Sequence, residues 1–445
     1  MTPGVGPATR AAVGLSIGFA AVFSLVGADA RWLGALGAAI VRDGRIPHGV
    51  PYASDPTGSW PNVPALGELV FHGVLALGPR GLLLAQLVAV AVALAVIARD
   101  AALAGARDAG IALAVLIAVV GAFPALAIIR VQLFSLALFP VLLGLLRAET
   151  RRPSRRLWLA LPLLALWSNL HGAVLVGLAV FGIHLVFERA RRSLGEAAVL
   201  AVAGALACCV TPALERTPRY YEGVLKNVAA QRGVGLWAPL SLTKPFDILL
   251  AAAGLVLLAM ALRARPRTWE LVALAALAAV AVHAQRSGVW LLLAAVPAAA
   301  VGLPRARATQ TRLAVAATLA GLAIAAIGLA KGPASSGASA GLLALTIREA
   351  AGTPVLGQDL LAEQVALAGG RIVIGNPIDA FSHHDQSVYL DWIGGKAAGD
   401  ADVDRARVVL VERHGTAERR LARDPRFVLL RRDAHAALFV RRGGS

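Results

Sequence analysis

Repeated runs of apolar residues, most of them close to the length that crosses a lipid bilayer, constrain this chain more than any other feature. They cover residues 11–28, 81–98, 110–128, 131–146, 157–168, 172–188, 196–212, 247–263, 269–284, 287–303 and 311–330. Hydrophobic residues make up 58% of the chain and charged residues only 16%, which is outside the range of soluble globular domains. The sequence therefore predicts an α-helical polytopic membrane protein with about eleven spans.

The arginines are concentrated in short connections between these runs. The connections are residues 147–156, 188–193, 263–267 and 304–312, and all four fall on the same side of the predicted bilayer. Since arginine and lysine in short loops mark the cytoplasmic side, we expect a cytoplasmic N-terminus. The high Ala, Arg and Gly content is typical of a high-GC bacterium, so we expect a bacterial plasma-membrane protein. These arginines account for much of the net charge of +17, and they would orient the spans and face anionic lipid. The bilayer is therefore the expected partner, and nucleic acid is not.

The predicted membrane domain covers residues 1–330 and includes two long outer loops, 29–80 and 213–246. Within the first loop, segment 65–78 is apolar but carries Glu68 and is bounded by prolines. It is short for a span, and we interpret it as an interfacial or re-entrant helix on the outer face.

A different pattern begins after the last apolar run. A Gly/Ser/Ala-rich linker at 331–340 precedes residues 341–445, where charge is mixed and strand-like runs alternate with helical stretches. The runs read TPVLG, GRIVIG, ARVVLVE, RFVLLRR and AALFVRR. The sequence predicts a small α/β domain on the extracytoplasmic side.

Polar residues gather on the predicted outer side. The candidate site residues are Asp29, Arg31, Asp55, Glu68, Arg130, Gln132, Asn169, His171, Tyr220, Glu222, His283 and Arg286. Ionisable groups at membrane depth cost several kcal/mol unless they are paired or wetted, so their gathering favours a shared aqueous cavity. The alternative is that they only cap helices and mark the interface, as polar turns do in any polytopic protein.

A cavity of this kind suits a donor with an apolar tail and a phosphate head. Arg130 and Arg286 would hold phosphate through charge-assisted hydrogen bonds. Asp29 would act as the general base that takes a proton from an acceptor hydroxyl during sugar transfer. Asn169 and His171 would orient a sugar hydroxyl or support the phosphate. No cofactor is indicated with certainty: carboxylates could hold a divalent cation, but no spacing in the chain points to one.

The motifs resemble those of bacterial GT-C-type membrane glycosyltransferases, the polyprenyl-phosphate-sugar-dependent group that is similar to protein mannosyltransferases. They read, in chain order, GADARWLGALGAAIVRDGRIP, WPNVPALGEL, IRVQLFSLALFP, WSNLHGAVLVG, GLWAPLSL and HAQRSGVWLLL. The similarity covers about residues 20–300, and the tail at 352–442 resembles the α/β domain that ends many such chains. It implies a GT-C core, a lipid-linked sugar donor and an envelope glycan, lipid or protein as acceptor.

Carried onto this chain, the resemblance places the family's acidic residue of the first loop on Asp29. The arginine turn falls on Arg130 and Gln132, and the Asn-Leu-His-Gly turn on Asn169 and His171. Many relatives have an acidic-Pro-acidic run and Trp-Trp-His in the first loop, whereas only Asp29 and Trp32 remain here. The relatives' Asp-Gly-Arg near the second tail strand is replaced by IGNPIDAF, which contains Asn376 and Asp379.

The sequence therefore favours a membrane glycosyltransferase that transfers a hexose or a pentose. Two alternatives stay open. A lipid or sugar transporter would show internal repeats and mid-span polar residues, and these are few here. A non-catalytic envelope scaffold would use the tail segment 381–392. In this segment Asp385 follows the adjacent His383 and His384, but no further ligand has the helical spacing of a metal site.

Overall fold

A computed structural model gives the fold and describes residues 5–303 and 310–443. Most of the predicted connection 304–312 lies outside these ranges. The first ten helices are α1 (Pro7–Val22), α2 (Ala30–Asp43), α3 (Ala65–Leu75), α4 (Gly78–Leu103), α5 (Asp108–Gly121), α6 (Phe123–Ala127), α7 (Leu133–Arg151), α8 (Ala160–Ser168), α9 (Val174–His184) and α10 (Leu194–Ala207). They are followed by α11 (Thr217–Lys226), α12 (Val228–Arg232), α13 (Pro245–Arg263), α14 (Thr268–His283), α15 (Gly288–Gly302), α16 (Thr311–Lys331), α17 (Ala340–Ala350), α18 (Leu360–Leu367), α19 (His383–Ile393), α20 (Asp400–Arg405) and α21 (Thr416–Leu421). The strands are β1 (Leu25–Val26), β2 (Ile128–Ile129), β3 (Ala334–Ser335), β4 (Val355–Gly357), β5 (Val408–Glu412), β6 (Phe427–Arg432) and β7 (Ala436–Arg441).

Each predicted apolar run overlaps a helix. The helices concerned are α1, α4, α5, α7, α8, α9, α10, α13, α14, α15 and α16. Among the described residues, four of them, α4, α7, α13 and α16, are long and apolar enough to cross a membrane on their own. The 26 residues of α4 extend about 39 Å, more than the hydrocarbon thickness. The other helices are shorter, and the number of spans stays a prediction.

The chain divides into two compact units. The helical unit contains residues 1–25, 78–211 and 233–334, and the α/β unit contains residues 26–77, 212–232 and 335–445. The sequence predicts that both outer loops belong to the membrane domain. In the structure, most of the first loop and the beginning of the second fold in one unit with the tail.

Glycines allow α1 and α16 to touch in the helical unit. A Cβ added to Gly321 would lie 2.3 Å from the backbone carbon of Gly14, and one added to Gly18 would lie 2.6 Å from the carbonyl oxygen of Gly321. Small residues at such crossings let backbones approach within van der Waals contact, which is how helices associate in lipid. In the apolar window of α16 only 17% of the residues are buried, so most of this helix is available to lipid.

A buried ion network joins four helices of the same unit. Arg147 on α7 pairs with Asp100 on α4 at 3.0 Å and with Glu270 on α14 at 2.8 Å, and it also donates to the carbonyl oxygen of Ala294 on α15 at 2.7 Å. Arg147 was predicted to start an inner connection at 147–156. Instead α7 continues to Arg151, because these partners satisfy the guanidinium inside the helix bundle.

A four-stranded mixed sheet forms the core of the α/β unit, in the order β4-β5-β7-β6. β4 runs parallel to β5, with Val355 opposite Val408, and the remaining pairs are antiparallel. Helices α17 and α18 cover the sheet and contribute Leu342, Leu361 and Val365 to its apolar core. The predicted tail sheet is confirmed in these four strands.

The run GRIVIG at 370–375 forms only single bridges instead of the predicted strand. Ile372 bridges Val355 on one side and Ala53 of the first loop on the other. The Ile372 N–H donates to the carbonyl oxygen of Tyr52 at 2.9 Å, and the Ser54 N–H donates to that of Ile372 at 2.9 Å. The first loop therefore extends the hydrogen bonding of the tail sheet, a long-range pairing that the alternation of residues does not reveal.

Candidate functional site

Asp29 sits where the chain enters α2. Its backbone is left-handed, with φ 79° and ψ −29°, a conformation that aspartate tolerates better than most residues. The indole N–H of Trp32 donates to Asp29 Oδ1 at 3.2 Å. The Asp29 backbone N–H donates to Oε1 of Glu363 on α18 at 3.0 Å. Both the main chain and the carboxylate of the predicted base are thus held.

Glu363 is a site residue that the sequence analysis missed. Its side chain is 1% exposed, and Oε1 accepts a second hydrogen bond from Asn376 Nδ2 at 2.8 Å. Burial, followed by the nearby charge of Asp29, raises the pKa of Glu363 to about 7, and Arg31 acts in the opposite direction. The available signal was an acidic residue inside the apolar helix LLAEQVAL.

Two further carboxyl groups belong to this region. Glu68 on α3 is fully buried, and its Oε2 accepts from Asn62 Nδ2 at 2.8 Å. Asp379, in the segment IGNPIDAF, accepts from the indole N–H of Trp60 at 2.8 Å. Burial raises the pKa of Asp379 to about 6, and the charge of Asp29 adds to that rise.

We call Asp29, Glu68, Glu363 and Asp379 the carboxyl cluster. Asp29 interacts electrostatically with Glu363 and Asp379, and Glu68 is connected to them through Tyr52 and Tyr220. Tyr52 and Tyr220 lie among them. Burial raises the pKa of both phenols well above its usual value, and Glu68 adds to the effect on each. The Tyr220 ring also packs against Trp60, with 6.1 Å between ring centroids.

The other predicted residues of the α/β unit have identifiable partners. Arg31 is buried and donates to Ser335 Oγ at 3.2 Å. Asp55 is buried and accepts from Arg405 at 2.9 and 3.3 Å. Glu222 is 60% exposed and pairs with Lys226 one helical turn later. Arg31 interacts with the carboxyl cluster through Glu363. Asp55 and Glu222 instead form ion pairs, with Arg405 and Lys226 respectively.

A cavity in the helical unit brings two predicted arginines together. It is partly open to solvent and has a volume of about 120 Å³, and its polar lining is Arg130, Gln132, Gln285 and Arg286. The apolar part of its lining is Gly121, Ala122, Pro124, Ala125, Ile128, Phe246, Leu250 and Val289. The Arg286 guanidinium stacks on Trp237, 3.7 Å from the ring centroid. Guanidinium and amide donors above apolar walls suit an anionic head on a hydrocarbon tail.

The turn WSNLHG is also built by side-chain hydrogen bonds. Ser135 Oγ lies 2.6 Å from His171 Nδ1 and accepts from the Trp167 indole N–H at 2.6 Å. Asn169 Nδ2 donates to the carbonyl oxygens of Ala165 at 2.8 Å and Val210 at 2.6 Å. These contacts fix the turn between α8 and α9. His283 ends α14 and is exposed.

The predicted site residues thus fall into two groups, one in each unit. Asp29, Arg31, Asp55, Glu68, Tyr220 and Glu222 belong to the α/β unit, and Arg130, Gln132, Asn169, His171, His283 and Arg286 belong to the helical unit. Their convergence on one cavity stays a prediction. Within residues 5–303 and 310–443, no group of three or more His, Cys, Asp or Glu side chains has metal-binding geometry. His383 and His384 are exposed at the start of α19.

The fold is similar to that of a solved membrane protein. ArnT from Cupriavidus metallidurans, solved bound to undecaprenyl phosphate, superposes with a TM-score of 0.53 and 15% sequence identity, and the match covers 97% of each chain. No protein-family model and no curated protein matches the sequence. A likeness at this identity is a likeness of fold. The chain therefore has a fold similar to that of ArnT, in agreement with the fold that the motifs in its sequence implied.

Proposed function

We propose that this protein transfers a hexose or a pentose from a polyprenyl-phosphate donor to an envelope glycan, lipid or protein. The observation that carries the proposal is the cavity lined by Arg130 and Arg286 above apolar walls. ArnT, whose fold this chain shares, was solved bound to undecaprenyl phosphate, a lipid of the same chemical class as the proposed donor.

The arginine cavity is the proposed binding site for the phosphate end of the donor. Arg130 and Arg286 supply planar guanidinium groups that match phosphate oxygens, and Gln132 and Gln285 add amide donors. Phe246 and the other apolar lining residues would contact the first isoprene units of the tail. Asn169 and His171 would support this end of the donor through the turn that they stabilise.

Asp29 is the proposed general base. It takes the proton of the acceptor hydroxyl while the hydroxyl oxygen forms a bond to the anomeric carbon of the sugar. The bond between that carbon and the phosphate oxygen breaks, and its electron pair leaves with the polyprenyl phosphate. The arginines stabilise the negative charge that develops on the leaving phosphate. Arg31, Glu68 and Tyr220 are the proposed acceptor-side contacts.

The proposed topology follows the arginine-rich connections. The N-terminus lies in the cytoplasm, and the α/β unit lies on the extracytoplasmic side of the plasma membrane. On that side, a lipid-linked sugar is a suitable donor, since its apolar tail keeps it in the bilayer.

Substitution of Asp29 tests this function. Membranes that contain the full-length chain would be supplied with labelled undecaprenyl-phosphate-linked mannose, glucose or arabinose, and label would be measured in the envelope fraction. Asp29→Asn should lower transfer by about 10²- to 10⁴-fold, because general-base catalysis contributes this much. Asp43→Asn is the matched control, since Asp43 ends the same helix and pairs at the surface with Arg42. Full transfer by Asp29→Asn would favour a transporter or scaffold.

A further inference from the structure

The α/β unit supplies a residue that acts on the proposed base. We propose that Glu363 is a positioning residue for Asp29, which it holds through the Asp29 backbone N–H. The inference rests on the proposed function, in which Asp29 is the base. Glu363 Oε1 accepts the Asp29 N–H at 3.0 Å, and Asn376 Nδ2 fixes the same oxygen at 2.8 Å. These two hydrogen bonds connect Asn376 and Glu363 to Asp29, which lies more than 300 positions earlier in the sequence.

Such a contact stabilises the left-handed conformation of Asp29. A left-handed non-glycine residue costs about 1 to 2 kcal/mol relative to ordinary backbone and persists where its surroundings hold it. The N–H of Asp29 precedes α2 and has no acceptor within that helix. Glu363 provides the acceptor, and the Trp32 indole fixes the carboxylate from the other end of the residue.

Stability alone does not explain a glutamate at position 363. The carboxyl is almost fully buried, and its Oε2 has no hydrogen-bond partner among the described residues. Nη1 of the neighbouring Arg31 also has none among them. A buried polar atom without a partner destabilises a fold, and an apolar side chain of similar size would avoid this cost. An apolar residue at this position, however, could not accept a hydrogen bond from the Asp29 N–H.

The consequence is that loss of Glu363 should affect the chemical step and not the binding of the donor. A base displaced by about 1 Å loses on the order of 10²-fold in rate. The residues proposed to bind the donor phosphate, Arg130 and Arg286, belong to the helical unit, whereas Glu363 belongs to the α/β unit. The turnover number kcat should therefore fall while KM for the lipid-linked donor stays unchanged.

The test uses the purified full-length protein with undecaprenyl-phosphate-linked mannose, glucose or arabinose and measures release of undecaprenyl phosphate. Glu363→Leu should lower kcat by about 10- to 100-fold with KM within about twofold of wild type. Glu363→Gln keeps an amide oxygen as acceptor and should retain kcat within about threefold of wild type. Glu412→Leu, on β5 of the same unit, is the control and should not lower kcat.

Other outcomes also decide the matter. If Glu363→Leu keeps wild-type kcat, or if Glu363→Gln loses as much as Glu363→Leu, Glu363 does not position Asp29. If Glu363→Leu fails to fold, Asn376→Ala takes its place, since it withdraws the donor that orients Glu363, and an unchanged kcat would again overturn the inference. Asp29→Asn separates the two hypotheses: if that variant is fully active the proposed function fails, whereas an inactive Asp29→Asn beside a fully active Glu363→Leu defeats only the positioning role.

Discussion

Replacing Glu363 by glutamine should stabilise the protein in a way that depends on pH. The folded-state pKa of Glu363 is raised from 4.5 to about 7, first by burial and then by the charge of Asp29. The other ionisable groups that act on it or are acted on by it are Arg31, Tyr52 and Tyr389. Between these two pH values the folded protein holds a proton that the unfolded chain has released.

The sign and the magnitude follow from this difference. The contribution of Glu363 to the stability of the wild type should fall as the pH rises from 4.5 to 7, and its full penalty above pH 7 is about 3 kcal/mol. Glutamine cannot ionise, so Glu363→Gln avoids the penalty. The variant should gain about 3 kcal/mol at pH 8 and close to nothing at pH 4.5.

Thermal unfolding of the full-length protein in detergent measures the effect, with tryptophan fluorescence as the signal. Trp60 and Trp392 are buried in the α/β unit and report on it. For a unit of this size the melting temperature of Glu363→Gln should exceed that of the wild type by about 6 to 12 °C at pH 8. Glu349→Gln, at the surface of α17, is the control. A difference that is the same at pH 4.5 and pH 8, or a variant less stable at pH 8, would refute the reasoning.

Three further predictions concern the helical unit and the topology. Arg147→Met should lower the free energy of unfolding by about 3 to 5 kcal/mol, measured by denaturation in detergent, because Glu270 would lose its ion-pair partner and Asp100 would keep only Arg151; an unchanged stability would contradict a cohesive role for the network. Gly321→Leu should destabilise the protein by about 1 to 3 kcal/mol more than Gly182→Leu, since only the first would force a side chain against a neighbouring backbone, and equal melting temperatures would count against the close crossing. In a cysteine-free background, a membrane-impermeant maleimide should label Ala422→Cys on intact cells but label Arg191→Cys only after lysis, and the reverse pattern would invert the topology.

The elements with a local signal could be predicted from the sequence. Apolar runs such as 81–98 and 311–330 are helices because only internally hydrogen-bonded backbone is stable in lipid. The tail runs 408–412 and 436–441 are strands because they are short apolar runs rich in Val, Leu and Phe, and most of their residues are buried. Asp29 was identified by its place after the first apolar run.

The neighbours of Asp29 could not be predicted. Glu363 accepts the Asp29 N–H from more than 300 residues away, and Asn376 donates to Glu363. The polarity of these two residues does not indicate which distant group each would bind. The single bridges of Ile372 to Ala53 and Val355, formed instead of the predicted strand, could not be predicted either. The pairing partner of an edge segment is set by the tertiary fold.

The central claim is that this protein consumes a polyprenyl-phosphate-linked sugar with Asp29 as the base. The most direct measurement is mass-spectrometric detection of undecaprenyl phosphate released by the purified wild-type chain from donors that carry mannose, glucose or arabinose. We expect protein-dependent release from at least one donor, and a rate about 10²- to 10⁴-fold lower with Asp29→Asn. Equal release by both proteins, or binding of the donors by the wild type without any release, would contradict the account.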